Sequence, residues 1–168
     1  GLHNIFFTDN YKQEFERIFN SKTIGTENTI YVHVSSNVTP VDAPENGQNW
    51  FVMVNTPAGV APTIEQIEQI KSAIFKMLQN HFQVALKQYI VHEKIWDAKG
   101  IEADTGSYLG ALYGASSNDR LASFKRHGNQ QKEYPNLYFC GGTVHPGGGI
   151  PLVLKSAKIV ATIISNEK

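Results

Sequence analysis

Polar and apolar positions alternate most cleanly between Thr29 and Ser36, where Ile30, Val32 and Val34 point one way and Tyr31, His33 and Ser35 the other. A period of two predicts a half-buried strand. Trp50 to Asn55 sets Trp50, Val52 and Val54 against Phe51 and Met53. Both sides are apolar, which predicts a central strand. Leu2 to Thr8 is a short apolar segment that reads as a strand, and Gln88 to Trp96 alternates again and predicts a further one. The period changes between them. Asp9 is a suitable N-cap for a helix that carries Tyr11, Phe15, Ile18 and Phe19 on one face, and Thr63 with Gln66 has the capping-box spacing ahead of Ile64, Ile67, Ile70, Ile74, Met77, Leu78 and Phe82. This order of elements predicts an α+β fold, a largely antiparallel sheet with helices on one face. Thr29–Ser36, Trp50–Asn55 and Gln88–Trp96 are expected in one sheet, with the helix from Thr63 to Phe82 packed on it. The Tyr31 side of that sheet is left needing a cover, which an apolar ligand could supply.

The last thirty-odd residues have a different texture. Asn136 to Cys140 is apolar enough for a strand, Gly141-Gly142-Thr143-Val144-His145-Pro146-Gly147-Gly148-Gly149 is a glycine loop, and Ile150-Pro151 opens an apolar run to Ile164. Proline suits the first turn of a helix, where its missing N–H costs nothing. Three glycines before it leave the backbone bare, and a helix start favours an anion or an electron-rich carbonyl. The residues fit such a ligand loop and equally a strand–turn–helix corner that binds nothing. In the helix, Lys155, Lys158, Thr162 and Ser165 share one stripe, and apolar residues cover most of the rest, which predicts a largely buried helix with Ser156, Ala157 and Ala161 allowing close approach. Asp97 to Ser107 reads as polar and irregular, Asp119 to Lys125 as one helical turn, and His127 to Tyr134 as a polar linker. Tyr108 and Tyr113, set among Gly110 and Gly114, suit a platform for a flat ligand or a packed aromatic turn.

Composition narrows the function. With 168 residues, 41% hydrophobic and 18% charged, the chain can bury a core. Fifteen basic and fifteen acidic side chains cancel, which argues against a nucleic-acid partner. No run of eighteen apolar residues predicts a membrane span. The single cysteine, Cys140, cannot form an internal disulfide, is compatible with a reducing compartment such as the cytoplasm, and is expected to be a buried inert thiol. The six histidines include no HExxH pair, so no metal site is expected. No Gly-x-Ser-x-Gly elbow exists. His145, inside the glycine loop, is the one histidine with a candidate role, against its alternative as part of a rigid His-Pro turn. The loop lacks the Gly-Lys-Ser/Thr of a phosphate loop and the third glycine of a dinucleotide fingerprint.

Gly141 to Pro151, with its glycine pair, Thr143, His145-Pro146-Gly147-x-Gly149, an apolar residue and proline, resembles the C-terminal signature of phytoene desaturase-type flavoproteins. Val144 stands between Thr143 and His145 as a departure. Gly110-Ala111-Leu112-Tyr113-Gly114 with Asn118 and Arg120, His3 to Phe7, and Asn49 to Asn55 resemble further family stretches, so the likeness runs along nearly the whole chain. It implies an FAD-dependent oxidoreductase that removes hydride from, isomerises or oxidises an apolar polyene or isoprenoid. It also implies docking on a membrane surface, since such a substrate does not diffuse freely in water. The N-terminal glycine fingerprint of that family is not in this sequence. The resemblance is therefore to the C-terminal part, with residues 1–134 in a substrate-facing domain and residues 135–168 the last strand and helix of the FAD domain. By the same resemblance Gly141, Gly142 and Thr143 would lie near the ribityl–pyrophosphate part of FAD, and Gly148, Gly149, Ile150 and Pro151 near its pyrimidine edge. Tyr108, Tyr113 and His145 would face substrate. This chain alone is not expected to retain FAD. Two other readings fit the residues: a piece of an amine oxidase-like flavoprotein, with Tyr108 and Tyr113 caging the amine, and a non-catalytic module that binds an apolar ligand on its sheet face.

Overall fold

The computed structural model describes residues 1–115 and 126–166. The expected turn at Asp119–Lys125, and Asn118 and Arg120 of the family stretch, lie outside the described residues. The chain divides into two compact units, Gly1–Ala98 and Lys99–Lys168.

The first unit is α+β. Strands β1 (His3–Phe6), β2 (Ile30–Val34) and β3 (Trp50–Val54) form an antiparallel sheet in the order β1-β2-β3. Its register pairs His3 with His33 and Phe6 with Ile30 on one side, and Ile30 with Val54 and Val34 with Trp50 on the other. The period of two then decides the core. Ile30, Val32 and Val34 are buried against Leu78, with Phe6, Trp50, Val54, Ile74, Met77 and Leu86 packed around them. Leu78 and Ile74 belong to α2 (Ile64–Phe82), which starts with the capping box that its sequence predicts: Thr63 Oγ1 accepts from the Gln66 N–H, and Gln66 Oε1 accepts from the Thr63 N–H.

Helix α1 (Tyr11–Glu16) widens into a π turn over Arg17–Ser21. Its N-cap is Asn10, not Asp9, because the Asn10 carboxamide oxygen is the one that reaches the Gln13 N–H, at 3.1 Å. Glu14, 1% exposed, fixes this helix to the start of β2. Its two carboxylate oxygens accept from the Thr29 N–H at 3.0 Å and the Thr29 hydroxyl at 2.7 Å.

Two strand expectations are corrected. Gln88–Trp96 is not in the sheet: Leu86–Tyr89 is a 3-10 turn and the residues after it pair with no strand among those described. Glu93 is instead held from α2 by Lys71, at 2.8 Å. Alternation shows that a segment can be extended, not that a ladder partner is free. The third strand is β1, and the central one is β2, not β3. The apolar outer side of β3 is open, with Phe51 at 53% and Met53 at 43% exposed.

The second unit begins with α3 (Ala98–Thr105), a helix where an irregular stretch was expected. It ends with α4 (Ile150–Asn166). The strand expected at Asn136–Cys140 is reduced to an isolated antiparallel bridge between Gln130 and Tyr138, flanked by backbone bonds from Gln131 N to Leu137 O and from Phe139 N to Asn129 O. Cys140 is exposed rather than buried. Helix α4 is not largely buried either. Ser156 is its one buried residue, Val153, Ile159, Val160 and Ile163 are half-buried, and Ile150, Leu152, Leu154 and Ile164 stand exposed. Periodicity identifies the apolar arc; the described residues cover one side of it.

Candidate functional site

The glycine loop is built on a buried polar post. Asn129 Nδ2 lies 2.9 Å from Ser156 Oγ and also donates to the carbonyls of Phe139, at 3.0 Å, and His145, at 2.9 Å. Ser156 Oγ in turn accepts from the Gly141 N–H at 3.2 Å. One amide and one hydroxyl thus tie the segment entering the loop, the middle of the loop and the helix leaving it. Both are nearly sealed from water, Asn129 at 7% and Ser156 at 0% exposed. Buried polar groups of this kind are costly unless paired, so the network is as specific as it is cohesive.

A second tie comes from Arg126, whose guanidinium donates to the carbonyls of Gly142 at 3.0 Å and Tyr113 at 3.2 Å. It brings the Tyr113-Gly114 turn onto the loop. A Cβ on Gly114, at φ +73°, would lie 3.1 Å from Thr143 Cβ, and one on Gly148 would lie 3.4 Å from the Tyr113 ring. A Cβ on Gly142 would sit in ordinary contact with Gly148 and Val153, at 3.5 and 3.6 Å. Of the three, Gly114 is the one at which a Cβ would crowd a crossing backbone.

Gly141 and Gly149 differ. Both have left-handed backbone, φ +134° and +94°, and a Cβ at either would meet nothing within 4 Å. Their bare sides face open space. Gly149 also starts α4: its carbonyl accepts from the N–H of Leu152 and of Val153, both at 3.0 Å. Pro151 has no N–H. Among the described residues no hydrogen bond engages the N–H of Gly149 or Ile150, and both residues are exposed. The positive end of a seventeen-residue helix therefore meets solvent through two backbone donors, with no side-chain carboxylate anywhere between Gly141 and Pro151. This suits a flat or anionic group that approaches along the backbone.

The other expected residues divide. Thr143 is exposed in side chain and packed through its backbone on Gly114, while Val144 beside it is buried and bridges to His127. His145 holds its place by backbone bonds, from its N–H to His127 O at 2.9 Å and from Asn129 to its carbonyl, and its ring is exposed. The His145–Pro146 peptide is cis. Tyr113 is at the loop. Tyr108 stands in the 3-10 turn Tyr108–Gly110 and is 77% exposed. Sequence reasoning missed Asn129 and Arg126. Asn129 lay in an apparent linker, and the one available signal was Ser156, a polar residue on the apolar arc of α4. Among the described residues no group of His, Cys, Asp and Glu is arranged to hold a metal. No helix among them is long and apolar enough to cross a membrane.

No family model matches the chain. It resembles carotenoid desaturase-type enzymes from end to end. It is 46% identical over 166 residues to a 1-hydroxycarotenoid 3,4-desaturase of Flavobacterium sp. (strain P99-3), an alignment that takes in 98% of this chain and 34% of that protein. It is 32% identical to a 4,4'-diaponeurosporene oxygenase of Staphylococcus haemolyticus (strain JCSC1435) and 30% identical to one of Staphylococcus aureus (strain MSSA476), in each case over 97% of this chain and 33% of the relative. The chain spans about a third of the length of the curated relatives it matches.

Proposed function

We propose that this chain forms part of an FAD-dependent oxidoreductase that acts on a carotenoid-like polyene. The observation that carries the reading is the 46% identity, over 98% of this chain, with about a third of a 1-hydroxycarotenoid 3,4-desaturase. The open, bare-backboned start of α4 supports the cofactor assignment. In this reading the N–H groups of Gly149 and Ile150 bind the electron-rich edge of the isoalloxazine ring, with Gly148 and Pro151 shaping the approach. Gly141, Gly142 and Thr143 lie along the ribityl–pyrophosphate part. FAD, when bound, supplies the acceptor for a hydride taken from a C–C bond of the polyene. The chain's own contribution is electrostatic: fixed backbone donors and a helix dipole favour negative charge at that edge without reorganising. In this reading Tyr113, packed on the loop, and His145, within it, face the substrate, with Tyr108 in the adjacent turn.

The open side of the sheet supplies an apolar wall for the polyene. Ile5, at 55% exposed, with Phe51 and Met53, is more hydrocarbon than water need meet there. A substrate of this kind partitions into lipid, so the full-length protein docks on a membrane surface to collect it. The test is purification of the full-length protein and of residues 1–168 separately. The full-length protein should carry stoichiometric FAD and shift the absorbance of an acyclic carotenoid in vesicles, and residues 1–168 alone should be colourless. A full-length protein that binds no flavin and leaves carotenoids unchanged would contradict the reading.

A further inference from the structure

The open side of the sheet is not uniformly apolar. The register places two cross-strand rows there: His3, His33 and Phe51, then Ile5, Tyr31 and Met53. Three of these six side chains are polar and they are neighbours. His3 Nδ1 lies 2.7 Å from Tyr31 Oη. The His3 and His33 rings stack at 5.0 Å and 14°, and Tyr31 runs nearly parallel to His33 at 11°. Tyr31 and His33 are half-buried and His3 is exposed, and the His3–Tyr31 bond itself lies open on this face, where a ligand can reach it.

We propose that Tyr31, with His3 and His33, is a hydroxyl-recognition subsite, and that it receives the hydroxyl-bearing end of a carotenoid whose hydrocarbon lies over Ile5, Phe51 and Met53. The proposal rests on the polyene reading given above and specifies its substrate class as a hydroxylated carotenoid. Two facts favour that occupant over a plain hydrocarbon. A hydrocarbon laid on this face would strip water from a phenol and two imidazoles and return no hydrogen bond, which is unfavourable. A hydroxyl restores one whichever way the His3–Tyr31 bond is polarised. If His3 donates, the Tyr31 O–H is left to donate to the ligand; if Tyr31 donates, its oxygen is left to accept. The second fact is that the relative at 46% identity is named for a 1-hydroxycarotenoid substrate.

The test uses the full-length enzyme and two acyclic carotenoids in phosphatidylcholine vesicles, one with a 1-hydroxyl group and the same molecule without it. Binding is read by quenching of intrinsic fluorescence, and kcat and KM are measured separately. Wild type should prefer the hydroxylated carotenoid in kcat/KM by about tenfold or more, since a site built to bond a hydroxyl discriminates against its absence. Tyr31→Phe keeps the ring and removes only the oxygen. It should lose most of that preference from both sides: KM rises and affinity falls for the hydroxylated carotenoid, while the hydroxyl-free one, no longer covering an unpaired phenol, binds as tightly as in wild type or more tightly. His3→Phe should weaken the preference in the same direction. A wild type with no preference overturns the proposal. So does a Tyr31→Phe enzyme that is slower on both carotenoids with the preference intact, the signature of a structural role. A wild type that binds and converts neither molecule overturns the polyene reading itself, and this proposal with it.

Discussion

Asn129 and Ser156 meet at 2.9 Å inside the second unit, and through them the Gly141 N–H, the Phe139 carbonyl and the His145 carbonyl share one buried anchor. The side chains that fix the glycine loop, Asn129 and Ser156, thus lie outside it, and the loop's own part is through backbone, as in the bond from the His145 N–H to His127 O. Its bare backbone can stay open at Gly141 and Gly149 while its shape is held from behind.

Removing that anchor should loosen the loop. Asn129→Ala leaves the Ser156 hydroxyl and two carbonyls without their donor in a nearly water-free place. The expected cost is about 1–3 kcal/mol of unfolding free energy, read from urea denaturation. A variant within experimental error of wild type would mean that the network does not hold the loop.

Gly114 is the point at which the Tyr113 turn crosses the loop. At φ +73° an L-residue is strained, and its Cβ would press on Thr143 at 3.1 Å. Gly114→Ala should destabilise by at least about 1 kcal/mol from the backbone alone. Thermal unfolding checks it, with unchanged stability as the contrary outcome.

In the first unit, Glu14 joins α1 to β2 through both of its oxygens. Glu14→Ala removes two acceptors from Thr29 and should cost about 1–3 kcal/mol. Hydrogen exchange should show α1 and the Thr29 amide losing protection before the core around Leu78. Uniform loss of protection would argue that Glu14 is not a local fastener.

The sheet and α2 were legible because burial leaves a period: two in β2, with Ile30, Val32 and Val34 inward, and a single apolar face in α2 with Ile70 and Leu78 buried. The capping box at Thr63 and Gln66 was legible because it is local. What failed was non-local. Gln88–Trp96 has the alternation of a strand, but the choice of which strands pair is made by the whole sheet, and β1 took the place. Helix α4 has an apolar arc wide enough for a buried helix, yet which parts of the arc are covered depends on neighbours that its own residues do not specify. Within the candidate site, the glycines and Pro151 announced the bare helix start. The side chains behind them did not announce themselves, because Asn129 and Arg126 act through contacts sixteen or more residues away, to Gly142, His145 and Ser156.

The most direct test is flavin content of the full-length protein with Gly149→Val. In this chain a Cβ at 149 meets nothing, so under the proposed function what it would obstruct is a flavin edge brought against the Gly149 and Ile150 N–H groups. Valine is also strained at φ +94°, so Gly106→Val, outside the proposed cofactor residues, serves as the control: it has φ +71° and nothing within 4 Å of its Cβ. The measurement is bound FAD per protein and its midpoint potential, with circular dichroism to confirm folding. Gly149→Val is expected to lose flavin occupancy or lower the potential, the loss of one aligned donor being worth about 1–3 kcal/mol, while Gly106→Val keeps both. A folded Gly149→Val protein with the flavin content and potential of wild type would show that the loop is only a corner between the Tyr138 bridge and α4.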